Sequence, residues 1–268
     1  MHYSGDYHIH TPFCLHGSND PFESYVIQAI KMGLKEISFT EHAPLPKDFV
    51  DPVPNQDSAM NWSDLSTYFN EGNRLKNKYN DRIKINVGFE LDYIEGFDRD
   101  IRNFLNEYGK QIDDAILSVH MLKTPDGGYH CLDYSADAFA DLITLFGSID
   151  NLYQKYYQTL LLAVQADLGP FKPTRIGHLT LIEKFSLKYP NPMNQLNRIK
   201  SILQEIKSRG YSLDLNTAGL YKPDCQSIYP NLEIVKLAQK LKIPLVPGSD
   251  SHQASTLAQG FDKIKSYL

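Results

Sequence analysis

Nine histidines are spread along this 268-residue chain, and seven of them stand at or just beyond the ends of segments that read as strands. They occur in Asp6-Tyr7-His8-Ile9-His10 with His16 beyond it, Thr40-Glu41-His42, Ser118-Val119-His120, Gly177-His178 and Gly248-Ser249-Asp250-Ser251-His252. Gly88-Phe89-Glu90 adds a carboxylate at a sixth such junction. Neutral imidazole and carboxylate are the donor set of zinc, manganese and iron. Alternate residues of a strand point the same way, so His8 and His10 can reach one ion. A lone His-x-His pair is a weak signal. Six junctions ending in His, Glu or Asp point to a site for more than one divalent cation, and thus to chemistry on a phosphoester or similar substrate. His2 and His130 fall outside the pattern, one at the terminus and one on a loop near the rim. Cys14, between His10 and His16, reads as a small apolar residue in preference to a soft ligand.

The elements that must position these donors alternate in type. Strands are expected at 3–10, 36–40, 83–90, 115–120, 175–178, 211–216 and 244–248. Helices are expected near 21–32, 63–79, 98–108, 136–146, 150–167, 192–210, 232–241 and 255–267. Asp20, Pro21 and Gly33 supply the cap, first-turn and stop signals of the first helix. The Pro-rich stretch 43–61 is too long for a plain connector and reads as a lid or binding loop. Residues 124–134 form a loop with Asp126-Gly127-Gly128 as its turn. Such β/α alternation implies a parallel sheet with right-handed crossovers. Donors occur at the carboxyl ends of nearly all the strands. A closed barrel gathers those ends on one rim, whereas an open sheet would focus on one switch point. A single-domain α/β barrel over residues 1–268 is therefore expected, its active site at the carboxyl-terminal rim.

Composition bounds the rest. Hydrophobic residues make up 42% of the chain and charged residues 22%, enough for a substantial core and not the profile of a disordered chain. Net charge is -5 with no basic stretch, which argues against a nucleic-acid partner. Three scattered cysteines, Cys14, Cys131 and Cys225, suit a reducing compartment. The absence of a long apolar run argues against a membrane and for the cytoplasm. Oligomeric state is not readable.

The ordered set His8-Ile9-His10-Thr11, His16, Thr40-Glu41-His42, Gly88-Phe89-Glu90, Ser118-Val119-His120, Gly177-His178 and Gly248-Ser249-Asp250-Ser251-His252 resembles the PHP (polymerase and histidinol phosphatase) superfamily. The resemblance spans nearly the whole chain and implies a distorted (β/α)7 barrel holding two or three divalent ions, zinc, manganese or iron. It implies His8, His10, Glu90 and Asp250 around one ion, and His16, His42 and His252 around a second. Glu90, His120 and His178 would surround a third. Where many PHP chains have Asp before the second-strand histidine, this one has Glu41, which would orient His42 or touch substrate. Within the superfamily, Glu41-His42-Ala43-Pro44 and the run from Gly88 to Ile94 are similar to stand-alone histidinol-phosphate phosphatases of the histidine pathway. Those enzymes hydrolyse L-histidinol phosphate to L-histidinol and phosphate.

On that resemblance, a hydroxide bridging two cations attacks phosphorus, without a covalent enzyme intermediate. The small phosphorylated substrate needs protein contacts as well. Arg175 is the expected phosphate clamp, because guanidinium matches phosphate bidentately, with Arg198 and Lys123 as further candidates. Asp133 and Glu41 are candidates for the substrate's cationic groups. The rival readings are a PHP phosphoesterase for a nucleotide or another small phosphoester, an amidohydrolase-type barrel, and a metal-binding barrel without catalysis. A mid-barrel lysine would favour the second, and none stands at a strand end.

Overall fold

The computed structural model describes residues 4–268; His2 and the start of the first expected strand lie outside the described residues. Seven parallel strands form one sheet in the order β1-β2-β3-β4-β7-β8-β9. They are β1 (Gly5–Ile9), β2 (Glu36–His42), β3 (Lys84–Asp92), β4 (Ala115–Ser118), β7 (Arg175–Ile176), β8 (Ser212–Asn216) and β9 (Leu245–Gly248). A bridge from Ile9 to Ser251 brings the last strand back to the first. His10 N donates to Ser251 O at 2.9 Å and Asp250 N to His8 O at 2.8 Å. The barrel is thus nearly closed, and the first and last donor segments are hydrogen-bonded neighbours.

Helices α1 (Phe22–Met32), α2 (Leu65–Lys78), α3 (Asp98–Tyr108), α4 (Ala136–Leu145), α5 (Ile149–Gln165), α6 (Leu196–Ser208) and α7 (Leu232–Lys240) follow or separate the strands, and α8 (Phe261–Ile264) ends the chain. The main apolar core lies between strands and helices. It includes the outward strand residues Ile9, Phe39 and Phe89 and the helix residues Tyr25, Tyr68 and Phe104. The inner face of the strands is polar instead: Asp6, His8, Ser38, Thr40, Asn86, Glu90 and Asp214 are all buried. Strand alternation makes this partition possible, with one parity serving the core and the other the site.

Three local expectations need correction. The segment after β4 is an antiparallel hairpin, β5 (Met121–Lys123) with β6 (Tyr129–Cys131), turning at the expected Asp126-Gly127-Gly128. The final helix is one short turn, because Gly260 takes a left-handed φ of 75° just before it. Asp20 does not cap α1; its carboxylate accepts from Ala254 N at 2.8 Å and ties the first loop to the last. Gly33 does end α1 in the left-handed conformation, with φ 78°.

Candidate active site

All nine candidate donors converge at the carboxyl ends of the strands. His8 and His10 leave β1, His42 ends β2, Glu90 lies near the end of β3, and His120 follows β4. His178 stands two residues beyond β7, and Asp250 and His252 follow β9. A side chain at either of two neighbouring glycines would not fit. A Cβ on Gly177 would lie 2.0 Å from Ser118 Oγ, and one on Gly248 would lie 2.5 Å from His8 Cβ. These glycines let adjacent strands deliver His178, Asp250 and His8 to the same small space.

Three groups of donors result. In the first, His8 Nε2 lies 3.3 Å from Glu90 Oε2 and 3.8 Å from Asp250 Oδ1, while His10 Nε2 lies 3.5 and 3.2 Å from the same atoms. In the second, His16 Nε2 is 3.2 Å from His252 Nε2, and the His16 and His42 rings are 5.2 Å apart. In the third, His178 Nε2 is 2.9 Å and His120 Nε2 3.9 Å from Glu90 Oε1. Glu90 therefore spans the first and third groups, and its Oε2 also lies 3.3 Å from His42 Nδ1. Cys14 is buried within reach of His10, His42 and His252.

The far side of most of these imidazoles is held by oxygen. His8 Nδ1 donates to Asp214 at 2.7 Å, His120 Nδ1 to Asp92 at 2.6 Å and His10 Nδ1 to Glu41 at 3.3 Å. His16 Nδ1 donates to Asp57 O at 2.7 Å, and His252 Nδ1 to Asp250 O at 3.0 Å. Such contacts select one tautomer and leave Nε2 as the inward lone pair. His8 Nε2, His10 Nε2 and His42 Nδ1 are buried without a hydrogen bond. Buried nitrogens that face carboxylates and bond to nothing are what divalent cations satisfy.

Electrostatics divides the set. Burial alone would depress His8, but Asp214, Glu90 and Asp250 outweigh it and hold its pKa well above the usual imidazole value. Against the same burial, the carboxylates around His10 raise it to about 9, and those around His120 raise it to about 10. His42 is pushed well down, first by burial and then by His10. His252 is pushed down to about 3 for the same reasons. Glu90 and Asp250 stay ionised despite burial because imidazoles surround them. Protons on imidazole offset the carboxylates when no cation does, so cation binding here displaces protons.

The substrate candidates fare differently. Arg175 opens β7 and lies at the opposite end of the barrel, where its Nη2 donates to Tyr7 O and Asp114 Oδ2 at 2.9 and 2.8 Å. It cannot clamp a phosphate at the rim. Arg198 is on the outer helix α6, bonded to Gln195 and Gln154. Lys123 sits on the β5–β6 hairpin and does not line the central cavity. Glu41 is fully buried. It accepts from Thr11 and from the His42 backbone N, faces His10 Nδ1 and not the His42 ring, and does not line the cavity. Asp133 is held by Lys184, whose Nζ lies 2.8 Å from its Oδ2.

The sequence reading missed Asp214, Asp92 and Asp57 as partners of the donors. Asp92 had a signal, since it lies two residues after Glu90 on the same strand face. Asp214 had a fainter one, a carboxylate inside the single strand with no candidate. The 43–61 stretch, expected as a lid or binding loop, packs onto the barrel and lines the cavity with Val53, Asp57 and Ser58. Its Phe49 and Val53 pack with Ile94 and Met121 in a second apolar cluster, and its Asp57 holds His16. Together these elements surround a cavity of about 820 Å³, with Glu90, His120, His178 and Asp250 among its lining.

Residues 6–218 match the PHP domain. The chain belongs to the PHP family. It is 44% identical over 259 residues to the histidinol-phosphatase of Bacillus subtilis (strain 168), covering 96% of each protein. Its structure is similar to a Listeria monocytogenes crystal structure proposed to be a histidinol phosphatase, with TM-score 0.93 and 38% identity over 97% of this chain and 99% of that one. A histidinol phosphate phosphatase from Lactococcus lactis, crystallised with zinc, L-histidinol and phosphate, matches at TM-score 0.69 and 24% identity, over 98% of this chain and 93% of that one. These likenesses bear out the expected PHP membership and the single-domain seven-stranded barrel. No helix among the described residues is long and apolar enough to cross a membrane.

Proposed function

We propose that the chain, residues 1–268, is one metallophosphoesterase domain that hydrolyses L-histidinol phosphate to L-histidinol and phosphate in histidine biosynthesis. The observation that carries this reading is the sharing of Glu90 between donor groups at the floor of the cavity. One carboxylate spanning two groups suits cations a few ångströms apart, the spacing of two-metal phosphoester hydrolysis. The names of the Bacillus relative and the ligands of the Lactococcus one support the substrate.

The residues fit two or three divalent ions, zinc, manganese or iron. His8, His10, Glu90 and Asp250 would hold the first, His16, His42 and His252 the second, and Glu90, His120 and His178 the third. Bound divalent cations supply Lewis acidity, offsetting phosphate charge and acidifying water. The protein's share is to fix their ligands. Asp214, Glu41 and Asp92 hold Nδ1 of His8, His10 and His120, so those rings cannot turn away. The loop around Asp57 and the β5–β6 hairpin wall the cavity.

Purified protein should release phosphate from L-histidinol phosphate, lose activity on chelation and regain it with zinc, manganese or iron. Elemental analysis should find two to three ions per chain. Faster turnover of nucleotides than of histidinol phosphate would redirect the assignment to another small phosphoester.

A further inference from the structure

The cavity wall beside the donors carries polar groups that no cation explains. Among the described residues, the lysines lining it are Lys184 and Lys222, and no arginine does. Lys222 is exposed at the rim, whereas the Lys184 side chain is only 18% exposed. Lys184 sits in the turn Leu181–Phe185, just after His178. Its Nζ donates to the Asp133 carbonyl at 2.6 Å and the Asp133 carboxylate at 2.8 Å. An ammonium has three donors, so one remains. Leu132 N donates to His120 O at 2.9 Å, and Asp133, Lys184 and His120 line the same cavity, so the pair stands beside the third donor group. The attraction of Asp133 outweighs burial and keeps Lys184 protonated.

Tyr229 lines the same wall. It is 2% exposed, and its hydroxyl is buried beside the Cys225 thiol, a weak partner, without a hydrogen bond of good geometry. The neighbouring Cys225 thiol turns toward Ser227 O at 3.7 Å. A buried hydroxyl left unbonded at a cavity wall is costly unless a ligand completes it. Burial raises its pKa, so it keeps its proton and has an O–H to donate. Asp133, Lys184 and Asp250 line the same cavity as Tyr229.

We infer that Lys184, positioned by Asp133, and the hydroxyl of Tyr229 form a protein-built subsite for phosphoryl oxygens facing the cations. This rests on the phosphoester reading above and fills the role that Arg175 cannot reach. A tetrahedral dianion offers more oxygens than two cations engage, and an ammonium and a hydroxyl are suitable donors for the remainder.

The test is competitive inhibition by inorganic phosphate, with metal content measured alongside. Lys184→Met should weaken phosphate inhibition and raise KM by about tenfold or more, with metal content unchanged. Lys184→Arg should recover part of that loss. Tyr229→Phe should weaken phosphate about three- to tenfold, the effect of one neutral donor. Inhibition constants equal to those of the unaltered protein in both Lys184→Met and Tyr229→Phe would overturn the subsite. So would a loss that tracks metal loss and is not relieved by Lys184→Arg. If the unaltered protein binds phosphate through Lys184 but does not turn over histidinol phosphate, the subsite stands and the substrate assignment falls.

Discussion

At the amino end of the barrel, Arg175 donates to Asp114, Lys84 lies 2.7 Å from Glu36, and Lys76 lies 2.7 Å from Asp113. Lys172 there donates to the carbonyls of Ala163, Val164 and Ala166, closing α5. At the carboxyl end, His8, His10 and His42 each keep a buried nitrogen without a hydrogen bond, facing Glu90 or Asp250. Both ends border cavities, of about 470 and 820 Å³. The difference lies in partnering: Arg175 leaves its Nε unbonded, but its charge is paired with Asp114 through Nη2. Charges that neutralise one another hold a barrel shut, while donors oriented from behind and unbonded in front wait for a ligand. Charge content alone does not separate the two.

The comparison breaks first at Glu90. Glu90→Gln removes the shared charge while keeping the shape. Hydrolysis should fall by about 10³-fold or more, and elemental analysis should show at least one ion lost per chain. Full metal content in that variant would mean that Glu90 does not bridge. Asp214→Asn is the next test, because Asp214 touches His8 only from behind. Metal affinity by chelator competition should fall about 10- to 100-fold, with the fold retained. Unchanged affinity would show that packing alone aligns His8.

How much of this was legible follows from the range of the signal. Each donor sits at a strand end, and strand alternation is local, so His8, His10, His42 and Glu90 announced themselves. The barrel followed because every expected strand ended in the same kind of residue except one. That strand supplies Asp214, whose role depends on a contact across 206 residues of sequence, which no local pattern records. Arg175 misled for a related reason. It stands three residues before His178, but extended chain advances about 3.3 Å per residue, so roughly 10 Å separates them along the barrel axis. Proximity in sequence put them together; strand direction sends them to opposite ends.

Arg175→Met sharpens the contrast between the ends. It should leave KM for histidinol phosphate and the phosphate inhibition constant unchanged. It should cost about 1–3 kcal/mol of stability, from the bonds to Tyr7 O and Asp114, measurable by urea unfolding. A change in KM with stability intact would return Arg175 to the site.

The smallest effect is a pH dependence confined to the metal-stripped protein. His10 and His120 have folded pKa values raised to about 9 and about 10. Their stabilisation is complete below the unfolded imidazole value of about 6.5 and is lost as pH climbs toward 9 to 10. His252 is lowered to about 3, so its contribution is complete above about 6.5 and is lost as pH falls toward that value. The stripped protein should therefore melt highest near pH 6.5 and lose roughly a few degrees on either side. With cations bound, the protons on His10 and His120 are already displaced, so the alkaline decline should vanish. A stripped protein whose melting temperature is flat from pH 6.5 to 9 would mean that its imidazoles are not the counter-charges of Glu90 and Asp250.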